Sequence, residues 1–190
     1  MLIGLTGNFG CGKSLILNFM WHYGVVTISA DDIVSELLKV DAVKSELVSV
    51  LGAVLDNKGD IDKKKMAEII FNDTILRKKV EAIIHPKVME RIRQTCADNP
   101  GEMVAAEIPL LFEAGLEGEM DKTITVTCKP EIIKMRLEKK GFKEAEIKLR
   151  QKAQLPQEAK AKRSDFVIDN SLSSKETQMH LKNIMSKIKE

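Results

Sequence analysis

The stretch that decides the fold is Gly7-Asn-Phe-Gly-Cys-Gly12-Lys13-Ser14, close to the start of the chain. Gly7 and Gly12 enclose four residues and are followed directly by a lysine and a serine, which is the Walker A pattern. The apolar residues 1–6 precede it, and an amphipathic helical pattern over residues 14–23 follows. A glycine-rich loop between a strand and a helix wraps phosphate groups with its amides. The segment therefore predicts the binding of a nucleoside triphosphate.

The side chains of this phosphate loop (residues 7–14) have separate expected tasks. Lys13 is expected to reach the β- and γ-phosphates, and Ser14 is the expected ligand of Mg²⁺. The glycines allow the backbone amides to approach the phosphates closely. The predicted nucleotide-binding residues are Asn8, Phe9, Gly10, Cys11, Gly12, Lys13, Ser14 and Leu15.

Strand-like and helix-like segments alternate along the rest of the chain. Further strands are predicted at residues 25–28, 102–108, 122–127 and 165–168, and a C-terminal helix is predicted from near residue 173. Five strands alternating with helices indicate a three-layer α/β domain. The helical pattern from residue 33 to about residue 95 is too long for a simple crossover, so we interpret it as an insertion. We expect Pro86 to interrupt the helices there.

Composition narrows the class of protein. The 190 residues are 44% hydrophobic and 31% charged, and the formal net charge is +2. So small a net charge does not favour binding to nucleic acid or to a membrane surface. Three cysteines without paired spacing argue against a disulfide scaffold and a zinc site. No apolar stretch approaches the roughly 18 residues of a membrane span, so we expect a cytoplasmic protein.

The turn at residues 56–60 offers an alternative from another class. Asn57-Lys-Gly-Asp60 matches the guanine-reading NKxD motif, and Asp56-Asn-Lys-Gly59 matches the DxxG motif of GTPases. These motifs overlap, although one must contact the base and the other the γ-phosphate at the opposite end of the nucleotide. They cannot both be functional, and Asp-Asn-Lys-Gly-Asp is common in turns. We therefore favour a simple turn over a regulatory GTPase.

Asp31 is the acidic residue with the most informative position. It lies just past the second predicted strand, and parallel strands bring their carboxyl ends to one edge of a sheet, so it is expected to share that edge with Lys13. If one strand intervenes, Asp31 lies roughly 10 Å from the loop, which leaves room for an acceptor hydroxyl. The alternative is that Asp31 or Asp32 caps the next helix, which is worth about 1 kcal/mol.

Arginines are rare among the basic residues, and two of them flank Gly141 in a charged helical pair. Arg136 and Arg150 stand on either side of this glycine, and the planar guanidinium suits phosphate oxygens better than an ammonium does. Helices that hinge at Gly141 would form a lid that excludes water, which a kinase needs in order to avoid hydrolysing ATP. A solvated pair of charged helices remains the alternative.

The chain resembles the dephospho-coenzyme A kinase family over nearly its whole length. The combination of Pro-Leu-Leu-Phe-Glu and Val-Ile-Asp-Asn after a Walker A loop is the most specific part of this resemblance. The matching segments are Gly4-Leu-Thr-Gly7, Ala30-Asp31, Ile84-His85-Pro86, Ile108-Pro-Leu-Leu-Phe-Glu113, Arg136-Leu137, Arg150 with Gln154, Pro156 with Lys160, and Asp165-Phe-Val-Ile-Asp-Asn170.

The resemblance implies a P-loop kinase architecture. Its core is a parallel five-stranded sheet with strand order 2-3-1-4-5, joined by a helical substrate-binding insertion and a helical lid. On this basis the nucleotide-binding core comprises residues 1–32, 100–129 and 164–190. The helical domain for the coenzyme A substrate comprises residues 33–99, and the lid comprises residues 130–163.

The resemblance also implies the reaction, in which MgATP phosphorylates the ribose 3′-hydroxyl of dephospho-coenzyme A to give coenzyme A and ADP. Asp31 falls on the family's proposed base, and Asn170 lies in the segment that borders the adenine of ATP. The implied partners are ATP and dephospho-coenzyme A, with no protein partner. The alternatives are a kinase for another small hydroxylated or nucleotide acceptor, and a non-catalytic nucleotide-binding module.

Several positions depart from the family pattern or allow two interpretations. Glu107, which lies near the end of its predicted strand, could contact a water on Mg²⁺ or the acceptor ribose. His85 either belongs to the family's His-Pro pair or caps the helix at the proline. The departures are Ser29 for the first Asp of Asp-Ala-Asp, Ser35 for a frequent arginine, Lys140 for a second lid arginine, and Leu172 for a usual glycine.

Overall fold

The computed structural model describes residues 1–189, and its centre is a parallel sheet of five strands. The strands are β1 (Leu2–Gly7), β2 (Val26–Ser29), β3 (Val104–Glu107), β4 (Lys122–Thr127) and β5 (Phe166–Asp169). They lie in the order β2-β3-β1-β4-β5, with every neighbouring pair parallel. The predicted fold class and strand order are therefore confirmed.

The burial of the central strand β1 indicates that the sheet is covered on both faces. All six of its residues are buried, and parallel strands with helices on both sides have such continuous burial. In the register, Leu5 of β1 pairs with Glu107 of β3, and Glu107 in turn pairs with Ser29 of β2. The carboxyl ends of these three strands therefore lie side by side, at the edge where the phosphate loop begins.

Helices connect the strands and fill the insertion. Their bounds are α1 (Lys13–His22), α2 (Ala30–Leu37), α3 (Asp41–Leu51), α4 (Lys63–Asn72), α5 (Thr74–Asp98), α6 (Pro130–Lys139), α7 (Glu144–Lys152), α8 (Gln157–Arg163) and α9 (Ser174–Lys189). Pro130 lies in the first turn of α6, where its missing N–H leaves no intrahelical bond unmade. The short helix α8 has no counterpart among the helices predicted from sequence.

The chain divides into two compact units. The core unit comprises residues 1–29 and the chain from Asp98 onward, and the helical unit comprises Ala30–Ala97. The core unit packs apolar side chains from the sheet against α1, α6 and α9, among them Ile3, Leu5, Ile16, Met20, Ile124, Val126, Ile133, Ile168, Leu181 and Ile184. None of the helices within residues 1–189 is long and apolar enough to cross a membrane.

Helix α5 of the helical unit corrects one sequence prediction. Pro86 lies inside this 25-residue helix and does not interrupt it. A proline inside a helix costs about 3 kcal/mol because it removes one hydrogen bond and crowds the preceding turn. The buried face of α5 continues on both sides of the proline, at Val80, Ile84, Val88 and Ile92. We attribute the continuous helix to this packing. His85 consequently lies in a helix interior, not at a helix end.

The turn at residues 56–60 forms as predicted. Leu55 and Ile61 on either side of it form an antiparallel bridge. The Asp56 carboxylate accepts the amide hydrogens of Lys58 at 2.8 Å and Asp60 at 3.0 Å. These bonds within one short segment are the ordinary chemistry of an aspartate turn.

Candidate active site

At Gly12, the backbone of the phosphate loop has a conformation and surroundings that only glycine accommodates. This residue is the N-cap of α1, with φ 95° in the left-handed region. A Cβ atom there would lie 2.1 Å from the side-chain nitrogen of Asn170. The first bonds of the helix run from the amides of Leu15 and Ile16 to the Gly12 carbonyl. The amides that come before Leu15 in this first turn therefore lie ahead of the first bond within the helix. Amides in that position at the start of a helix suit the binding of an anion.

Gly7 starts the loop under a similar restriction. Its φ is 147°, and a Cβ atom there would lie 2.3 Å from the carbonyl oxygen of Val126 in β4 and 2.8 Å from the Cys11 sulfur. Cys11 is itself completely buried beneath the loop. Burial raises the pKa of its thiol, against the opposing charge of Lys13. Cys11 is therefore a small packing residue here and not a nucleophile.

Lys13 is held at the carboxyl edge of the sheet. Its side chain is 9% exposed, and Nζ lies 3.9 Å from Oε1 of Glu107, whose side chain is 10% exposed. Nζ also donates to the Asn8 carbonyl at 3.5 Å. Both contacts are long, so the ammonium group is available for stronger hydrogen bonds to phosphate oxygens. Glu107 thus lies next to the lysine that is predicted to bind phosphate.

Ser14 meets the requirements of a magnesium ligand. It is exposed in the first turn of α1 and lines an open depression with Leu17, Asn18, Trp21 and Thr27. Mg²⁺ takes oxygen ligands, commonly one or two from the protein together with phosphate oxygens and waters. A serine hydroxyl that follows the predicted phosphate-binding lysine in the chain fits that coordination. Within residues 1–189, no group of three or more His, Cys, Asp and Glu side chains is placed to hold a metal ion by itself.

Arg136 and Asn170 support the loop from the side of β5 and α6. Asn170 is 1% exposed, and its Nδ2 donates to the Cys11 carbonyl at 2.8 Å. Arg136 donates through Nη2 to the Asn170 carbonyl at 3.0 Å and through Nη1 to the Cys11 carbonyl at 3.5 Å. The structure thus brings both predicted residues to the loop. Their direct contact with ATP stays a prediction.

Arg150 and the segment that follows it reach the other end of the loop. The Phe9 amide donates to Oε1 of Gln154 at 2.8 Å, and Nδ2 of Asn8 donates to the Leu155 carbonyl at 3.2 Å. The Arg150 guanidinium lies 4.7 Å from the centre of the Phe9 ring and donates to the Glu146 carboxylate. An arginine of the predicted lid therefore lies over the first half of the phosphate loop.

Asp31 lies in the first turn of α2, which follows β2 without a break. It is the second residue beyond Ser29, its carboxylate side chain is exposed, and its carbonyl accepts the Ser35 hydroxyl at 2.9 Å. Because α2 begins at Ala30, Asp31 and Asp32 lie inside the helix and not at the residue before it. In the first turn, both charges still complement the helix dipole.

The comparison with known proteins identifies the family. The model of the dephospho-CoA kinase family matches residues 1–176. This chain belongs to the dephospho-CoA kinase family. The dephospho-CoA kinase of Aquifex aeolicus is 36% identical over 191 residues, which cover 98% of this chain and 96% of the relative. That of Geobacillus kaustophilus is 35% identical over 187 residues, which cover 95% of this chain and 93% of the relative.

Solved structures agree with the family assignment. The chain resembles a crystal structure from Thermus thermophilus with a TM-score of 0.88 and 29% identity, covering 98% of this chain and 97% of the other. It resembles the dephospho-CoA kinase of Campylobacter jejuni with a TM-score of 0.70 and 27% identity, covering 98% and 96%. A shikimate kinase from Bacteroides thetaiotaomicron, at 14% identity and a TM-score of 0.56, shares the fold.

For a dephospho-CoA kinase, the GTPase-like motifs at residues 56–60 need no nucleotide-binding role. Asp56 is occupied by the amides of its own turn, and Oδ1 of Asp60 accepts from Nζ of Lys44 at 3.2 Å. These contacts favour the turn interpretation over the GTPase alternative.

Lys160 and Glu113 form a buried ion pair that reasoning from the residues missed. Lys160 is completely buried, and its Nζ lies 2.9 Å from Oε1 of Glu113 and 2.7 Å from the Pro109 carbonyl. Burial lowers the pKa of Lys160, and the hydrogen bond and charge of Glu113 oppose this shift. The only sequence signal was the occurrence of both residues in segments that resemble the dephospho-CoA kinase family.

Proposed function

We propose that this chain transfers the γ-phosphoryl group of ATP to the ribose 3′-hydroxyl of dephospho-coenzyme A, which is the last step of coenzyme A biosynthesis. The observation that carries the proposal is the phosphate loop, with its glycine backbone and its lysine, in a chain that matches the family over residues 1–176. In the reaction, the 3′-oxygen forms a bond to the γ-phosphorus, the bond from that phosphorus to the bridging oxygen breaks, and ADP leaves.

Lys13 and the loop amides stabilise the phosphoryl group during transfer. Negative charge is spread over the oxygens of this group in a loose transition state, so positioning and electrostatic stabilisation supply most of the catalysis. The weak contacts of Lys13 to Glu107 and Asn8 support this role. Ser14 would hold Mg²⁺, which would supply positive charge to neutralise the phosphates of bound ATP.

Asp31 orients the acceptor hydroxyl and takes its proton. Its place in the chain supports this role, because it follows β2 by two residues and Ser29 at the end of β2 pairs with Glu107. Its carboxylate is exposed. A base needs hydrogen-bond reach of the hydroxyl, and its contribution is commonly about 10²- to 10⁴-fold in rate.

The remaining parts position the substrates and exclude water. Residues 130–163 act as the lid, with Arg136 and Arg150 closing over the phosphates, and the segment at Asn170 borders the adenine. Residues 33–99 bind the coenzyme A substrate. The partners are small molecules, ATP and dephospho-coenzyme A, and the reaction takes place in the cytoplasm.

A coupled assay of ADP release tests the proposal. ATP and Mg²⁺ are supplied with dephospho-coenzyme A, and in parallel with a panel of nucleosides, nucleotides and shikimate. We expect dephospho-coenzyme A alone to stimulate ADP release, and we expect GTP to be a poor donor. Stimulation by another acceptor would replace the substrate assignment. ATP binding without any acceptor-dependent release would indicate a binding module, and a preference for GTP would revive the GTPase alternative.

A further inference from the structure

We propose that the buried ion pair of Lys160 and Glu113 is a positioning device, which fixes residues 154 and 155 and through them the first half of the phosphate loop. The inference deepens the proposed function, because it concerns how that loop is held for phosphoryl transfer. Neither side chain is assigned a contact with substrate, so both are positioning residues.

One carboxylate oxygen connects three parts of the core unit. Oε1 of Glu113 accepts the Leu155 amide at 2.7 Å and lies 2.9 Å from Nζ of Lys160. The same Nζ donates to the carbonyl of Pro109 at 2.7 Å. Oε2 of Glu113 is buried and has no hydrogen-bond partner among the described residues. A rotation of this carboxylate would therefore disturb both bonds of Oε1 together.

Residues 154 and 155 carry this anchoring to the phosphate loop. The Leu155 carbonyl accepts from Nδ2 of Asn8 at 3.2 Å, and Oε1 of Gln154 accepts the Phe9 amide at 2.8 Å. Adjacent residues thus hold Asn8 and Phe9, the first two residues after Gly7. Arg150, which stacks on Phe9, lies only four residues before Gln154 in the chain.

The energetics of a buried ion pair favour a positioning role over a stabilising one. Lys160 is completely buried and the Glu113 side chain is 15% exposed, so both ions lose much of their hydration. Replacement of a buried pair by well-packed hydrophobic residues of similar volume is often neutral or stabilising, whereas removal of one partner is strongly destabilising. A strong charged contact also fixes geometry more sharply than apolar packing does. The pair is therefore expected to affect loop position more than net stability.

A second ion pair on the same helix provides a matched control. Arg163 of α8 pairs with Glu117, and the two side chains are 43% and 33% exposed. Arg163 also lies over the Phe112 ring, 4.7 Å from its centre. Like Lys160 and Glu113, this pair joins α8 to the segment between β3 and β4. In the part of the chain that the structure describes, however, neither residue bonds to residue 154 or 155, which hold the phosphate loop.

Hydrogen exchange of the Phe9 and Leu155 amides tests the inference without any substrate. The variants are Lys160→Met, Glu113→Met, the double variant of both, and the control double variant Arg163→Met with Glu117→Met. We expect exchange at both amides to accelerate by about tenfold or more in the folded Lys160→Met/Glu113→Met protein and to stay at the parent rate in the control, since the Leu155 amide loses its acceptor and residues 154 and 155, which hold Phe9, then open locally. Parent-like exchange of Phe9 in that double variant would overturn the proposal.

Kinetics give a second readout that a merely structural role would not change. In the folded double variant we expect kcat to fall by about 10- to 100-fold, because small displacements of catalytic groups have effects of that size. The melting temperature and the KM for ATP should stay near the parent values. The effects of Glu113→Met and Asn8→Ala on kcat should be less than additive, because both substitutions act on the connection through Leu155. Full additivity, or a loss that follows the melting temperature, would indicate a structural pair.

The two proposals fail in distinguishable ways. A parent protein that does not phosphorylate dephospho-coenzyme A would contradict the proposed function, while the exchange of Phe9 would still decide the positioning role. An active parent whose double variant keeps both the parent kcat and the parent exchange rate of Phe9 would contradict the positioning role alone.

Discussion

The phosphate loop and the turn at residues 56–60 both match nucleotide-binding motifs in sequence, but they are embedded differently. A Cβ atom at Gly12 would lie 2.1 Å from the Asn170 side chain, whereas at Gly59 it would meet no atom within 4 Å in the described part of the chain. Both glycines have positive φ. Backbone conformation alone therefore does not distinguish a binding loop from a turn; the surrounding structure does.

The hydrogen bonds of the two segments show the same contrast. The loop is bonded to residues far away in sequence, with Asn170 donating to Cys11 and Phe9 donating to Gln154. The turn bonds mainly to itself through Asp56. A loop held from several directions is preorganised for charge that develops during a reaction. A turn that satisfies its own groups has no such arrangement.

Substitution of the two lysines should give the largest difference between these segments. Lys13→Ala is expected to lower kcat by at least about 10³-fold, since it removes a charge directed at the β- and γ-phosphates. The fold should persist, because the Glu107 contact of 3.9 Å is weak. Lys58→Ala in the turn should leave kcat within twofold of the parent. ADP-release kinetics with circular dichroism check both variants, and near-normal turnover of Lys13→Ala would break the assignment of the loop.

The arginines next to the loop should have the next largest effect. Arg136→Ala and Arg150→Ala are expected to lower kcat by about 10²- to 10³-fold, with smaller effects on ATP affinity, because such groups act mainly on charge developed in the transition state. Arg163→Ala on α8 serves as the control and should keep the parent kcat. Steady-state kinetics and ATP titration separate the two effects. Weaker ATP binding with unchanged turnover would make the arginines simple affinity contacts.

Asp31→Asn separates a catalytic base from a group that stabilises a helix. We expect kcat to fall by about 10²-fold, the low end for a general base, because a loose transition state needs the base less than acyl transfer does. ATP affinity and the melting temperature should hardly change. Asp32→Asn, in the same turn of α2, is the control and should keep the parent rate. If kcat of Asp31→Asn stays within a few-fold of the parent value, Glu107 is the next candidate for the catalytic base.

The turn at residues 56–60 should make a smaller contribution, which is to the stability of the fold and which is lost at low pH. Hydrogen bonds from the Asp60 and Lys58 amides hold the pKa of Asp56 below its usual value. The stabilisation from this carboxylate is therefore fully present above about pH 3.9, the unfolded value, and is lost as the pH falls through the folded pKa. The difference in melting temperature between the parent and Asp56→Asn should shrink from pH 6 to pH 3. A difference that grows on acidification would contradict this account, and kcat at pH 7 should not change.

Much of the fold and part of the site could be predicted from local sequence. The Walker A spacing predicted the loop, and the β-branched segments predicted the strands that the structure contains. The interruption at Pro86 was wrong, because helix propensity is local while the packed face of α5 is not. Helix α8 was missed, since seven residues are too few for a clear periodic pattern.

The sequence by itself determined the chemistry available to this protein: a phosphate loop with its lysine and serine, five alternating strands, and the motifs of one kinase family. Periodicity and spacing carry such information because they are properties of neighbouring residues. Only the tertiary structure decided that Asn170 and Arg136 bond to the Cys11 carbonyl, and that Glu113 and Lys160 hold Leu155. These partners lie more than 40 residues apart, apart from Lys160 and Leu155, and contacts of that range depend on how the whole chain packs.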